Sequence, residues 1–166
     1  DGERLYSAGR DQVIRSWSVP DLSPLEEFLG HEKQVNALAT SPDGAWLASV
    51  GDDGSVRLWS LCGEQDRRLV VHPTWVSDVA WLNSQSLVSS AADGVLSVWT
   101  VSGHGMKPLY GHVHPVISVA ACDKSGLIAS GDRSGLIRIW DSQSGRAVES
   151  LRGHVGPVTD LAFDPF

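Results

Sequence analysis

A serine, a histidine and an aspartate lie close together in the first third of the sequence, as His31, Ser49 and Asp53. In hydrolases these residue types form a relay, in which the histidine takes the serine proton and the aspartate orients the histidine. Such a site also needs an exposed nucleophile, an oxyanion hole and a substrate cleft, and a chain carries it once. Whether the set recurs along the chain therefore distinguishes a catalytic role of these residues from a structural one.

The same residue types do recur, with a period near 40 residues. Four tryptophans share one phase, with steps of 42, 40 and 41, at Trp17, Trp59, Trp99 and Trp140. Four histidines keep step with them, at His31, His72, His112 and His154. A period that carries several markers in constant phase indicates an internal repeat. Because no Gly-x-Ser-x-Gly sequence is present, we interpret the serines, histidines and aspartates as structural, and predict a protein that is not an enzyme.

Two further groups of residues have metal-binding or phosphate-binding character. His112 and His114 form a His-x-His pair with Cys122 downstream, but His112 belongs to the repeated series and His114 precedes a proline in a predicted loop. The glycine-rich turns at 51–54 and 131–135 lack the lysine and the following helix of a phosphate-binding loop. We therefore predict no metal, no cofactor and no small-molecule substrate.

Composition and charge narrow the class of partner. The 166 residues carry 13 basic and 20 acidic side chains, a net charge of −7, which argues against nucleic acid as the main partner and against anionic membranes. No apolar run approaches the roughly 18 residues of a membrane span, and residues 1–10 lack the apolar core of a signal peptide. The two cysteines stand outside any Cys-x-x-Cys motif. Other proteins or peptides are thus the expected partners, inside the cell, in the cytoplasm or nucleus.

The repeat unit must position these residues on short β-strands. In the best-defined unit, apolar and polar residues alternate over 35–40, and three further strands are predicted over 45–50, 55–60 and 67–71. The intervening sequences Ser-Pro-Asp-Gly and Asp-Asp-Gly are turn-forming. Later units repeat this pattern, and residues 158–163 read as one more first strand. The sequence predicts an all-β protein with four strands per unit.

At residues 30–59 the pattern GH…V…SPDG…LAS…DG.VRLW resembles the WD repeat, the blade unit of β-propellers. The resemblance extends over the whole chain, 1–166, although the Gly-His glycine is replaced by Val71 and an intact Trp-Asp pair occurs only at 140–141. It implies a propeller of four-stranded antiparallel blades. The expected units are 1–30 (partial), 31–71, 72–111, 112–153 and 154–166 (partial).

The four blade equivalents are expected to belong to a larger ring of about seven blades. Two alternatives remain open. Residues 158–163 could pair with the first partial blade and close a four-bladed ring, or two copies could form an eight-bladed one.

The resemblance also assigns a structural role to the serine, histidine and aspartate. In the family a buried hydrogen-bond network links a third-strand tryptophan, a second-strand serine, the histidine before the first strand and a turn aspartate. The matching residues are His31, Ser49, Asp53 and Trp59; His72, Ser89, Asp93 and Trp99; His112, Ser130 and Trp140; and Ser7, Asp11 and Trp17. In the 112–153 unit Ser134 stands at the aspartate position, so we expect this network to be the weakest.

Partners of this family commonly dock on the face formed by the loops that lead into the first strands. The residues of this chain that the resemblance places there, or beside it, are Gln34, Asn36, Trp75, Ser77, Tyr110, Pro115, Ile117, Pro157 and Thr159. Trp75 is the expected anchor, because it belongs neither to the strand tryptophans nor to the predicted core.

The resemblance implies a non-catalytic scaffold or adaptor that assembles a multiprotein complex. The alternatives are a regulatory or sensor propeller that controls an attached enzyme, and a substrate receptor of a ubiquitin ligase. The Trp-Asp-x-Arg sequence that many such receptors carry is absent here.

Overall fold

The computed structural model describes residues 2–63, 65–103 and 106–164, and every regular element in this part of the chain is a β-strand. The strands form four antiparallel sheets, and within each sheet spatial neighbours are also neighbours along the chain. This confirms the predicted all-β class and the blade pattern of antiparallel meanders. Among the described residues, no helix has the length and apolar character needed to cross a bilayer.

The first sheet has three strands and the other three sheets have four each. The strands of the first sheet are β1 Arg4–Ala8, β2 Ile14–Ser18 and β3 Pro24–Phe28. Those of the second are β4 Val35–Thr40, β5 Trp46–Gly51, β6 Ser55–Ser60 and β7 Arg67–Val71. The third contains β8 Val76–Asn83, β9 Ser86–Ala91, β10 Leu96–Thr100 and β11 Met106–Leu109. The fourth contains β12 Val116–Cys122, β13 Leu127–Asp132, β14 Ile137–Asp141 and β15 Ala147–Leu151.

The hairpin between the second and third strands of a blade requires glycine. Gly54, Gly94 and Gly135 all have positive φ, at 76°, 84° and 91°. At Gly94 a Cβ atom would also stand 2.8 Å from the carbonyl oxygen of His112 in the next blade. The glycine therefore serves the turn and lets the turn pack against the neighbouring histidine loop.

Apolar residues fill the spaces between consecutive sheets rather than a single central core. Between the first and second sheets, Ile14, Val35 and Leu47 pack with Trp59. Two further clusters stand between the second and third sheets and between the third and fourth. Burial of these side chains is the main force that stacks one blade on the next.

Hydrogen bonds from side chains join the innermost strands of neighbouring blades. Asn36 Nδ2 donates to the Val76 carbonyl at 2.8 Å, and Ser77 Oγ donates to the Val116 carbonyl at 2.6 Å. In the same way, Ser118 Oγ donates to the Val158 carbonyl at 2.7 Å. These bonds recur at nearly the same place in the second, third and fourth sheets and hold the blades in register.

The first and last sheets each leave one apolar face less covered. Leu5 is 57% exposed, whereas the residues at the same repeat position in the other sheets, Leu47, Leu87 and Ile128, are 0% exposed. On the last sheet Ile137 is partly exposed as well. In the other sheets, the side chains at the repeat positions of Leu5 and Ile137 are covered by an adjacent blade.

The structure corrects the prediction of a strand at 158–163. Within the described residues 152–164 no strand forms, although Val158 is buried and its amide donates to the Asp132 carbonyl at 3.1 Å. A first strand needs a partner that supplies a hydrogen-bond ladder, and in the described chain none stands beside this segment. Among the described residues β1 pairs only with β2, so the alternative of a closed four-bladed ring is wrong for this structure.

Candidate functional site

Ser49, His31 and Asp53 lie within hydrogen-bond distance in the order of a hydrolytic relay. Ser49 Oγ is 2.7 Å from His31 Nε2, and His31 Nδ1 is 2.9 Å from Asp53 Oδ2. Because an ionised aspartate only accepts, the imidazole proton is on Nδ1 and Nε2 accepts from the serine hydroxyl. Trp59 Nε1 in turn donates to Ser49 Oγ at 2.8 Å. One continuous chain of hydrogen bonds thus runs from the third strand to the hairpin turn.

Burial separates this relay from a catalytic one. Ser49 is 0% exposed, and so is the His31 side chain. A nucleophile with no solvent exposure has no path to a substrate, and the Ser49 oxygen already accepts a hydrogen bond from Trp59. The arrangement satisfies polar groups that would otherwise be buried without partners, which costs about 1–3 kcal/mol each.

The electrostatics of this set keep the histidine neutral and the aspartate ionised. Burial is the largest influence on His31 and lowers its pKa below the ordinary value, against the attraction of Asp53. Burial also opposes ionisation of Asp53, but hydrogen bonds from Ser55, from the Glu32 amide and from His31 outweigh it and hold its pKa at about 2. The pair is therefore a neutral donor facing an anionic acceptor.

In the fourth sheet the structure corrects the role expected from Ser134. Asp132 Oδ2 lies 2.7 Å from His112 Nδ1, and Ser134 Oγ donates to Asp132 Oδ1 at 2.6 Å. His112 Nε2 is 2.7 Å from Ser130 Oγ, which accepts from Trp140 Nε1 at 2.8 Å. The network thus includes a carboxylate, and the expectation that this blade is the weakest is wrong.

Strand periodicity explains why Asp132 reaches the histidine. Asp132 lies two residues after Ser130 on β13, so both side chains point to the same face of the sheet. The second sheet has Gly51 at this position, where a Cβ atom would point to within 3.2 Å of His31 Nδ1. A carboxylate at this register position is therefore aimed at the imidazole. The alternation of strand residues was the signal in the sequence that could have found Asp132.

The third sheet has the longest serine–histidine distance of the three histidine-containing sheets. Trp99 Nε1 donates to Ser89 Oγ at 2.8 Å, but Ser89 Oγ is 3.4 Å from His72 Nε2. Asp93 is exposed, accepts from the Val95 amide at 3.0 Å and acts on His72 electrostatically. Burial again lowers the pKa of His72. By hydrogen-bond geometry this is the weakest of the three networks.

In the first sheet the tryptophan and serine form the same bond, with Trp17 Nε1 donating to Ser7 Oγ at 2.8 Å. Asp11 is instead paired with Arg15, which also bonds Glu27. The hydrogen bond from Arg15 is the main cause that lowers the pKa of Asp11. The aspartate of this sheet thus serves an exposed ion pair.

A second candidate site is a groove on the face where the loops enter the first strands. We call it the Trp75 groove. Three consecutive sheets contribute its lining residues, which are Gln34, Asn36, Asp52, Trp75, Ser77, Ile117 and Arg133. Five of the residues expected on a partner-binding face, Gln34, Asn36, Trp75, Ser77 and Ile117, are thus brought together.

The remaining four expected residues do not line the Trp75 groove. Pro115 lies beside it, where its carbonyl accepts from the Arg133 amide at 3.0 Å, and Tyr110 is 72% exposed elsewhere on the surface. Pro157 and Thr159 are exposed in the segment after β15. Tyr110 therefore does not extend the apolar lining that Trp75 and Ile117 give the Trp75 groove.

Sequence reasoning missed Asp52 and Arg133. Both stand seven residues before a strand tryptophan, at the start of the turn that follows the second strand. The Asp52 amide donates to the Gln34 carbonyl at 2.9 Å, as Arg133 does to Pro115. The repeat phase places this position on the same face as the loops before the first strands, and this was the available signal.

The structure gives no support for a metal centre within residues 2–63, 65–103 and 106–164. In that part of the chain no three His, Cys, Asp or Glu residues are arranged to hold a metal ion. Cys62 and Cys122 are free thiols.

Comparison with known proteins adds a family match. A family model described as "WD domain, G-beta repeat" matches residues 22–60, 63–100 and 103–141, which is more than half of the chain. The chain is 30% identical to "Telomerase protein component 1" of Rattus norvegicus, over 96% of this chain and 6% of that protein. It is 31% identical to a subunit of chromatin assembly factor 1 from Gallus gallus, over 98% of this chain and 27% of that protein.

A third relative is the "Ribosome biogenesis protein WDR12 homolog" of Chlamydomonas reinhardtii, 31% identical over 92% of this chain and 33% of that protein. The chain spans about a third or less of the length of these curated relatives.

Proposed function

Because this chain belongs to the WD-repeat family, we propose that it is a non-catalytic platform on which other proteins assemble into a complex. WD-repeat proteins generally act as scaffolds for protein interaction. The relatives' names include a component, part of an assembly factor and a biogenesis protein, which supports the same role here. We place the protein inside the cell, in the cytoplasm or nucleus, which its free thiols and the same relatives support.

One observation carries the proposal: the Trp75 groove collects an aromatic, an aliphatic and a cationic side chain from two adjacent blades. Trp75 and Ile117 line it, and the Arg133 guanidinium lies 5.6 Å from the centroid of the Trp75 ring. Aromatic residues and arginine are the side chains that most often dominate the binding energy of protein interfaces. A rigid stack of blades holds them in fixed positions, which lowers the entropic cost of binding.

The buried relay supports the non-catalytic part of the proposal. Its serine is enclosed, and three sheets repeat the set of tryptophan, serine and histidine. We propose that the networks fasten each hairpin turn to its own blade and so keep the loops of the binding face in place.

We also propose that the blades described here belong to a larger ring of about seven. The exposure of Leu5 and the partial exposure of Ile137 support this, because the other side chains at the Leu5 position are covered by an adjacent blade.

Affinity capture from cells that express the tagged protein, followed by quantitative mass spectrometry, tests the platform role. We expect Trp75→Ala to lose a defined set of partners, while Tyr110→Ala keeps them. Tyr110 is the matched control, because it is an exposed aromatic residue outside the Trp75 groove. Identical partner sets for wild type and Trp75→Ala, with both proteins folded, would refute the groove as the docking site.

A further inference from the structure

The charge on the Trp75 groove limits what it can bind, and this inference rests on the proposed function. Two of its polar side chains are already committed to the framework. Asn36 Nδ2 donates to Asp52 Oδ1 and to the Val76 carbonyl, both at 2.8 Å. Ser77 Oγ donates to the Val116 carbonyl. A ligand must therefore be recognised mainly by the other polar groups.

Among the other polar side chains that line the Trp75 groove, Arg133 carries the positive charge. It is exposed, and within the described chain it has no carboxylate within the 4 Å of an ion pair. Its guanidinium lies over the Trp75 ring, at 5.6 Å from the centroid. A guanidinium has its N–H groups in its own plane, where a carboxylate can accept two of them at once.

The same geometry disfavours a cationic ligand. The face of an aromatic ring attracts one cation, and Arg133 already occupies that position over Trp75. A lysine or methylated lysine that approached this face of the Trp75 ring would meet the Arg133 charge and be repelled.

A phosphate is disfavoured for a different reason. Asp52 is exposed and lines the Trp75 groove, so a dianionic group would be repelled more strongly than a single carboxylate. One arginine on a chain of net charge −7 also falls short of the several cations that a nucleic-acid backbone needs. Ile117 adds an apolar contact next to the cation.

We propose that the Trp75 groove binds a peptide segment of a partner protein that carries an aspartate or glutamate beside an apolar residue. The carboxylate pairs with Arg133 and the apolar side chain packs against Ile117. Asp52 selects against phosphorylated or otherwise more strongly anionic segments.

Selection from a library of random linear peptides displayed on phage, with the whole chain as bait, supplies the probe. We expect the selected peptides to be enriched in an acidic residue next to an apolar one. Synthetic versions of one selected peptide, with Glu, Gln, Lys or phosphoserine at the acidic position, are then compared by fluorescence polarisation. The Glu peptide should bind most tightly of the four.

Variants locate the contact. Arg133→Gln should weaken binding of the Glu peptide by about tenfold or more, the loss expected for a charge-assisted hydrogen-bonded pair. Arg133→Lys should bind with intermediate affinity, because lysine lacks the planar fork. Asp52→Asn should strengthen binding of the phosphoserine peptide more than that of the Glu peptide. Arg152→Gln, which removes an exposed arginine outside the Trp75 groove, is the matched control and should change nothing.

Several results would overturn this inference. They are selection of no peptide, enrichment of basic peptides, equal affinity of the Glu and Gln peptides, an unaffected Arg133→Gln variant, and displacement of the peptide by a single-stranded oligonucleotide. If Trp75→Ala still loses partners in cells under any of these outcomes, the platform role stands and only the acidic specificity fails. If Trp75→Ala keeps every partner, the proposed function fails as well.

Discussion

Removing the Asp132 carboxylate should destabilise this protein far more than removing the Asp93 carboxylate. Asp132 is 0% exposed and accepts hydrogen bonds from His112, from the Ser134 hydroxyl, and from the amides of Ser134 and Leu136. Asp93 is exposed, and within the described part of the chain it accepts one hydrogen bond, from the amide of Val95. Both aspartates lie where the second strand of a blade connects to the third, in adjacent blades, so the comparison holds the fold constant.

The magnitudes follow from what each substitution leaves without a partner. Asp132→Ala leaves the buried His112 Nδ1–H without an acceptor, whereas the exposed Ser134 can bond to water instead. Leaving a buried neutral donor without an acceptor costs about 1–3 kcal/mol, and the other hydrogen bonds that the ionised carboxylate accepted are lost as well. Asp93→Ala removes one exposed turn acceptor, a loss of about 1 kcal/mol, comparable to that of a helix cap. Since domains are stable by only about 5–15 kcal/mol, the difference is large enough to measure.

Urea unfolding followed by tryptophan fluorescence measures the free energy of unfolding of wild type and both variants. Hydrogen exchange read by mass spectrometry then shows where protection is lost, because blades can open separately. For Asp132→Ala we expect the loss in β12–β15. Ser134→Ala is the matched control, since it removes one bond while His112 keeps its acceptor, and it should cost about 1 kcal/mol.

Equal destabilisation by Asp132→Ala and Asp93→Ala would refute this reasoning. So would a greater loss from Ser134→Ala than from Asp132→Ala, because the serine would then be the principal partner of the network, as the sequence alone indicated.

Three further predictions concern the same networks. The free energy of unfolding should fall as pH drops below about 6.5, because burial keeps the folded histidines neutral while those of the unfolded chain take up protons. It should fall again between pH 3.8 and about 2, as Asp53 is protonated. Urea midpoints across this range measure both losses. Gly111→Ala should lower the free energy of unfolding by about 1–3 kcal/mol, because its Cβ would lie 3.0 Å from Trp140 and 3.4 Å from the Arg138 guanidinium carbon. Adding Arg138→Ser should recover part of that stability, as measured by thermal unfolding. A serine-reactive fluorophosphonate should fail to label the folded protein, as judged by intact mass, because Ser49 is enclosed.

Each of these predictions has a contradicting outcome. A stability that stays constant from pH 7 to pH 5 would mean that the histidines take up protons in the folded state as readily as in the unfolded chain. Strictly additive effects of Gly111→Ala and Arg138→Ser would mean that the two side chains do not compete for space. Labelling of the wild type that disappears in Ser49→Ala would restore the hydrolytic interpretation.

The sequence by itself determined the class of fold and the phase of its repeat. Strand alternation and turn residues are local properties, so β4, β6 and β7 have the predicted bounds, and β5 begins and ends one residue later than predicted. The resemblance to the WD repeat implied which tryptophan, serine and histidine side chains meet, and these pairs lie within one blade.

Tertiary structure decided the features that depend on the direction in which a side chain points or on contacts between blades. The aspartate of the fourth network is Asp132 rather than Ser134, because the pleat, and not the distance from the tryptophan, aims a side chain at His112. Residues 158–163 read as a strand, but a strand exists only where a neighbour supplies its ladder. The residues assigned to the binding face also differ from those predicted. Asn36 is held by an interblade bond, and Arg133 joins Trp75, because a groove built from three blades is a property of their packing and not of any single repeat.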